Sequence, residues 1–276
     1  MELGLSTFLF EDYKLLSILP LYQEAGIKYL EIKPQKGHFD YQDPEYLHRV
    51  ARELKKHNLK VQSMHMPVSA TGVDISLIEE YDRVWSVREV EKTVLALLRL
   101  NGEIIVVHPG STLSGEKERR IRQEKSEKSL EEILKFCEHW GIKIALENTL
   151  PGKTGDNIID VLSMVKKFSS PNLGICLDSG HYHITTSTKE NSEVIDCFSK
   201  LKDYLLHVHL HDNQGKEDEH NLPGEGNIDW SSLMKGLREI NYQGIMMFEI
   251  RKKNNTPGKE ILEKLKNIYL QLLRDN

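Results

Sequence analysis

An α/β fold of the closed (β/α)8 barrel type is predicted for this 276-residue chain by three observations. Eight short apolar or β-rich runs recur along its whole length: Leu3–Thr7, Tyr29–Lys33, Lys60–Met66, Glu103–His108, Lys143–Glu147, Leu173–Asp178, Leu205–Leu210 and Ile245–Ile250. Several carry two or more β-branched residues and little charge, as parallel strands buried on both faces do. Segments of helical periodicity lie between them. Strand alternating with helix eight times reads as a barrel, with an open doubly wound sheet as the alternative. No linker, low-complexity tract or step in composition interrupts the pattern, so residues 1–276 are read as one domain.

The helices can be justified in turn. Asp43-Pro44 places a capping carboxylate before a proline at the first helical position. Tyr46–His57 follows, with Leu47, Val50, Ala51 and Leu54 on one face, and His57-Asn58 ends it. Asp156 similarly precedes a 3.6-period stripe of Ile158, Ile159, Val161, Leu162 and Val165. The dense charge run Glu116–Glu132 reads as a helix with a solvated face. Ile261, Leu262, Leu265, Ile268, Tyr269, Leu272 and Leu273 mark a final helix.

Composition excludes several classes. No stretch of 18 apolar residues exists, so no membrane helix is expected. The first residues lack a basic segment and meet acid at Glu11 and Asp12, unlike a secretory signal. Three cysteines without a CxxC pair speak against a disulfide scaffold or a Cys-type zinc site, and for a reducing cytoplasm. A net charge of −5 leaves no overall footprint for nucleic acid.

The 12 histidines are informative through their placement. In this barrel class the C-terminal ends of the strands face the active site. Run three reaches His65, run four ends at His108, run five at Glu147, and run six at Asp178 with His181 three residues on. Run seven carries His209 and run eight carries Glu249. A carboxylate near a barrel core loses hydration at a cost of several kcal/mol unless something pairs with it. Basic residues are scarce in these segments, whereas divalent ions can compensate. A mixed imidazole and carboxylate set suits zinc, manganese, iron or cobalt rather than magnesium or calcium. No organic cofactor is indicated.

The combination of His65, VVHPG, ALENT, CLDSGH, HVHLHDN, DEHNLPGEGNID and FEI resembles the xylose isomerase-like TIM barrel superfamily. That group includes sugar isomerases and epimerases and abasic-site endonucleases of the endonuclease IV type. The resemblance spans about residues 60–250 and is specific as a set, each piece alone being weak. It implies a single-metal core of Glu147, Asp178, His209 and Glu249 in the epimerases. The endonuclease branch implies five further ligands, matched here by His65, His108, His181, Asp218 and His220. Pro223 is an extra residue in the turn after His220 relative to the endonuclease form.

Each residue has a plainer reading. His65 and His108 can be hydrogen-bonded core histidines, and Asp218 and His220 ordinary loop polarity. His207, His209 and His211 share one face of their strand by period two. Of these His209 is read as ligand and His207 as structural, while His211 and Asp212 would orient a ligand or water from behind. His38, His48, His57 and His139 are read as surface residues. Lys33 and Arg251 would bind a substrate oxygen or phosphate, or remain solvated.

Three functions remain open at this point. The first is a metal-dependent isomerase or epimerase acting on a small carbohydrate, free or phosphorylated. There Glu147 and Glu249 would flank the substrate, one removing a proton and the other returning it through a metal-stabilised enediolate. The second is an abasic-site phosphodiesterase with a multi-zinc site. The acidic chain and the missing aromatic wedge in the segment after His65, with Val68-Ser69 in its place, argue against it. The third is a non-catalytic metal- or ligand-binding barrel. Oligomeric state is not readable.

Overall fold

The computed structural model describes residues 1–68, 71–186, 192–252 and 256–274. Eight strands close into a parallel barrel in sequence order. They are β1 (Glu2–Ser6), β2 (Tyr29–Ile32), β3 (Lys60–His65), β4 (Ile104–Val107), β5 (Lys143–Glu147), β6 (Leu173–Asp178), β7 (Leu205–Leu210) and β8 (Ile245–Phe248). Every expected run becomes a strand, with ends differing by two residues at most. The described helices are α1 (Leu15–Ala25), α2 (Pro44–Lys56), α3 (Glu80–Arg99), α4 (Glu116–Trp140), α5 (Ile158–Phe168), α6 (Ser179–Thr186), α7 (Ser192–Leu201), α8 (Trp230–Glu239) and α9 (Gly258–Arg274). A 3-10 turn, Thr7–Phe10, follows β1. None of the described helices is long and apolar enough to cross a membrane.

Side-chain alternation sorts each strand into two environments. In β4, Ile105 and Val107 face the helices and join the main core, whereas Ile104 and Val106 face the barrel axis. Ala145 and Cys176 meet them there. Two residues further along come Glu147 on β5 and Asp178 on β6, and alternation turns both toward the same axis at its C-terminal end. On β4 to β6 the interior is therefore apolar below and polar above.

The caps follow local chemistry. Asp43 accepts from the Glu45 and Tyr46 amides at 2.9 and 3.1 Å and starts α2, with Pro44 in its first turn. For α5 the expectation was one residue early. Asn157 caps it, accepting from the Ile159 amide, because Asp156 is occupied by Arg119 at 2.8 and 3.0 Å. The charge run forms α4, but its face is not merely solvated. Arg122 reaches Asp74 at 2.9 Å, and Lys125 and Lys128 meet Glu80 of α3. His38, read as a surface residue, is buried, its Nδ1 against the Tyr13 carbonyl. The wedge reading rested partly on Ser69, which lies outside the described residues.

Candidate metal centre at the C-terminal end of the barrel

All nine residues picked out as ligands converge at the C-terminal end of the barrel. They fall in three groups, the first two sharing Glu147, in each of which one ligand atom per residue lies within 4.8 Å of the others: Glu147, Asp178, His209 and Glu249; His65, His108 and Glu147; and His181, Asp218 and His220 together with His211. Most are buried, with His108 and Asp218 partly exposed.

Local structure explains each placement. His65, Glu147, Asp178 and His209 stand at or near strand ends on the inward side. Asp178 also starts α6: its Oδ1 accepts from the His181 amide at 2.7 Å, which fixes the three-residue spacing between them. Asp218 and His220 arrive on the loop after β7. Asp212 holds that loop, accepting from the amides of Asn213, Gly224 and Ile228 and from Trp230 Nε1. Both oxygens of Asp212 are thus spent on the loop, not on a ligand or water as expected. His211 sits behind Asp178, its Nε2 3.0 and 3.1 Å from the two Asp178 oxygens. His207 lies deeper, its Nε2 3.0 Å from Glu31 Oε2.

The imidazoles are oriented as metal ligands are. His65, His181 and His220 each direct Nδ1 to a backbone carbonyl, of Met66, Asn148 and Glu249 respectively. Their Nε2 atoms are left to face the site. His65 Nε2 lies 3.3 Å from Glu147 and His220 Nε2 lies 3.1 Å from Asp218. His65 and His108 bring two ring nitrogens within 3.1 Å of each other, beside Glu147 Oε2. Buried His211 Nδ1 and Asp218 Oδ1 have no hydrogen-bond partner. Converging nitrogen and oxygen donors with orphaned buried atoms fit a divalent transition metal.

Electrostatics reflect the same crowding. Burial opposes charge on Glu147, yet His209 and His108 hold its carboxyl well below the usual range. Burial likewise opposes charge on Glu249, which Lys33, His209 and His220 keep low. His181 is pushed up to about 10, its desolvation outweighed by Asp178, Asp218 and Glu147. His108 and His220 move down, mainly through burial.

Lys33 enters the site, its Nζ 3.2 Å from Glu249 Oε1 and 3.7 Å from the centre of the Phe8 ring. Arg251 lies over the same ring at 4.9 Å but remains exposed at the rim. Three site residues escaped the sequence reading. Glu31 sits beneath His209; Cys176 groups with Glu147 and His209; and Asn148 clasps the backbone of Asp178 from both sides. Glu31 had a signal, since it is a charged residue inside a strand and in register with Lys33.

Barrel and site together define a TIM barrel with clustered candidate metal-binding residues at the C-terminal ends of its strands. The chain belongs to the xylose isomerase-like TIM barrel family, whose model matches residues 19–270. An uncharacterized protein of Methanocaldococcus jannaschii is 28% identical over 100% of this chain and 91% of its own. Fructoselysine 3-epimerase of Escherichia coli O157:H7 is 30% identical over 44% of this chain and 43% of its own. A probable endonuclease 4 of Mycoplasma mobile is 26% identical over 72% and 84%. Among solved structures, a D-tagatose 3-epimerase-like protein superposes with a TM-score of 0.84 at 27% identity, covering 100% of this chain and 99% of that one. An IolI protein with a bound zinc atom gives 0.84 at 20% identity, covering 99% and 98%, a likeness of fold.

Proposed function

We propose that this protein is a divalent-metal-dependent isomerase or epimerase of a sugar or sugar phosphate. The observation that carries the reading is the convergence of Glu147, Asp178, His209 and Glu249 within 4.8 Å at the catalytic end of the barrel. Similarity to fructoselysine 3-epimerase and to a D-tagatose 3-epimerase-like protein supports the carbohydrate class. Glu147, Asp178, His209 and Glu249 would hold one ion, and the His65/His108 and His181/Asp218/His220 groups would hold others. Zinc or manganese suits the donors best, with iron and cobalt next.

A divalent ion at such a set supplies Lewis-acid polarisation of a carbonyl and its neighbouring hydroxyl. The protein does the rest. Glu147 and Glu249 stand on or just beyond β5 and β8, so they approach a bound ketose from different sides. One removes the proton from the carbon beside the carbonyl, and the other returns a proton to the opposite face. Such a pair needs unlike protonation states, set by unlike neighbours. Lys33 holds Glu249 as a carboxylate, which assigns it the base role in one direction. Glu147 is also held as a carboxylate, by His209 and His108, so to return a proton it would first take one up, from the substrate or from an imidazole beside it such as His65 or His108. Lys33, with Arg251 at the rim, offers positive charge to a substrate oxygen or phosphate.

The full set of nine residues favours a second reading, phosphodiester cleavage at abasic sites. DNA binding needs cations free to meet phosphates. Much of the basic stretch of α4 is instead committed to carboxylates: Arg119 to Asp156, Arg122 to Asp74, and Lys125 and Lys128 to Glu80. One experiment separates the readings. Protein loaded with Mn2+, Co2+ or Zn2+ is incubated with free and phosphorylated ketoses in D2O, and separately with an abasic duplex. Deuterium entering at carbon beside the carbonyl supports the first reading; strand cleavage without exchange overturns it.

A further inference from the structure

The imidazole nearest the centre of the site is held differently from its neighbours. His65, His181 and His220 each spend a ring nitrogen on a backbone carbonyl. His209 has a carboxylate there instead: its Nε2 lies 3.0 Å from both oxygens of Glu31. Its other nitrogen, Nδ1, faces the place where the acids meet, 2.9 Å from Glu147, 3.8 Å from Glu249 and 3.9 Å from Asp178.

Glu31 is wholly buried on β2, one alternation below Lys33, and is itself held. Ser63 Oγ donates to its Oε2 at 2.8 Å from the paired position on β3, and His207 Nε2 approaches the same oxygen at 3.0 Å. Among the described residues no lysine or arginine is paired with it. Three donors around its Oε2 therefore replace part of the water the carboxylate has lost, while Oε1, 3.0 Å from His209 Nε2, makes no hydrogen bond of good geometry.

We propose that Glu31 is the positioning residue of the metal centre, holding the His209 Nε2 proton from below so that Nδ1 is the nitrogen presented to the metal. A carboxylate only accepts, so the nitrogen facing Glu31 must carry the proton. In a neutral ring the other nitrogen then keeps its lone pair. His207 packs edge-on to His209 at 5.3 Å and His65 stacks on it at 6.1 Å, which blocks a ring flip. The carboxylate also makes the imidazole a stronger donor than a carbonyl would. His207 and Ser63 act one step further out, by fixing Glu31. The inner group of Glu31, His207 and His209 is then a hydrogen-bonded support and not a second ion site.

This proposal rests on the metal reading of the site, and the test keeps the two apart. Affinity for Zn2+ and Mn2+ is measured on the metal-stripped full chain by competition with a chromophoric chelator, for wild type and Glu31→Gln. Outer partners of ligating histidines typically contribute roughly ten- to a hundred-fold in affinity. A loss in that range with an unchanged circular dichroism spectrum is expected. Affinity within twofold of wild type overturns the proposal while leaving the metal site standing. A wild-type chain that takes up no metal overturns both. If Glu31→Gln does not fold, Ser63→Ala, which loosens Glu31 without touching His209, is expected to lower affinity several-fold. Nitrogen-15 histidine spectra of zinc-loaded wild type supply the direct readout. A protonated Nε2 and a metal-bound Nδ1 on His209 are expected. The opposite tautomer, or zinc seated between Glu31 and His207, overturns the assignment.

Discussion

Lys33 and Glu249 meet at the barrel mouth, ammonium to carboxylate at 3.2 Å, just beyond the ends of β2 and β8, the two strands that flank β1. Both side chains are nearly buried, so the pair is screened little by solvent. It helps hold Glu249 charged, as His209 and His108 hold Glu147. Glu147→Gln and Glu249→Gln should each lower turnover by roughly 10²–10⁴-fold, the range of a lost general acid or base. The folded state should persist, since each change is isosteric. Activity retained in both variants, measured by deuterium exchange, sinks the two-carboxylate mechanism.

Removing metal tests the site without a substrate. An ion bound only to the native state stabilises it by about 2.7 kcal/mol at a hundred times its dissociation constant. Chelator treatment should therefore lower the melting temperature by roughly 5–10 °C, reversibly on adding Zn2+ or Mn2+. Elemental analysis then counts the ions. One per chain matches the Glu147, Asp178, His209 and Glu249 set alone, and three match all the groups. A melting temperature indifferent to chelator, with no metal found, would falsify the site reading.

The barrel was legible in the sequence because its strands are buried on both faces and punctuated by capped helices. The convergence of the candidate ligands was legible because strand ends in this architecture share one rim, so that residues far apart in sequence could be placed together by rule. What lay below the rim was not. Glu31 is one charged residue in a short strand, and only the closure of β2 beside β3 and across from β7 brings it to Ser63, His207 and His209. Asp212 failed for a different reason. Its position beside the ligands suggested a role toward them, but it serves a loop whose path depends on backbone amides that have no sequence signature. His38 was misplaced because a single histidine between helix and strand gives no periodicity from which burial can be read.

Asp212 is accordingly a structural test of how the rim is built. Its two oxygens serve three amides and the Trp230 indole, all in or near the loop that delivers Asp218 and His220. Each buried donor left unpaired costs about 1–3 kcal/mol. Asp212→Ala should destabilise the protein by several kcal/mol in sum, shift Trp230 fluorescence and expose the loop after β7 to proteolysis. Metal uptake at the His181, Asp218 and His220 group should fall, while Glu147 and Asp178 keep their places. Unchanged proteolysis and fluorescence would show that the loop is held by something else.

Gly180 sets how closely α6 approaches β7. A Cβ there would lie 2.0 Å from His211 Cε1 and 2.5 Å from its Nδ1. The ring cannot retreat freely, because it stacks on His220 at 4.0 Å and meets Asp178 on its other side. Gly180→Ala should thus cost about 1–3 kcal/mol, the usual penalty of overpacking. It should also weaken metal binding, since His211 is pushed from Asp178. Denaturant titration and chelator competition on the same variant check both effects. A normal affinity would mean that His211 does not support Asp178.

The start of α8 gives a pH-dependent test away from the metal ligands. Asp229 caps that helix, its Oδ1 accepting from the Ser232 amide at 3.0 Å and its Oδ2 from the Ser232 hydroxyl at 2.6 Å. These bonds to Ser232 favour the charged form and lower its pKa below the ordinary 3.8. A depressed carboxylate contributes stability above its unfolded pKa and loses that contribution as pH falls through the folded one. Replacing an aspartate cap by alanine costs about 1 kcal/mol. Asp229→Ala should therefore be less stable than wild type by about that amount at pH 7 and pH 5. The gap should narrow below pH 3.8, where wild type begins to protonate the cap. Urea titrations of both proteins across this range measure it. A gap that stays constant into acid would assign the cap's effect to something other than the charged carboxylate.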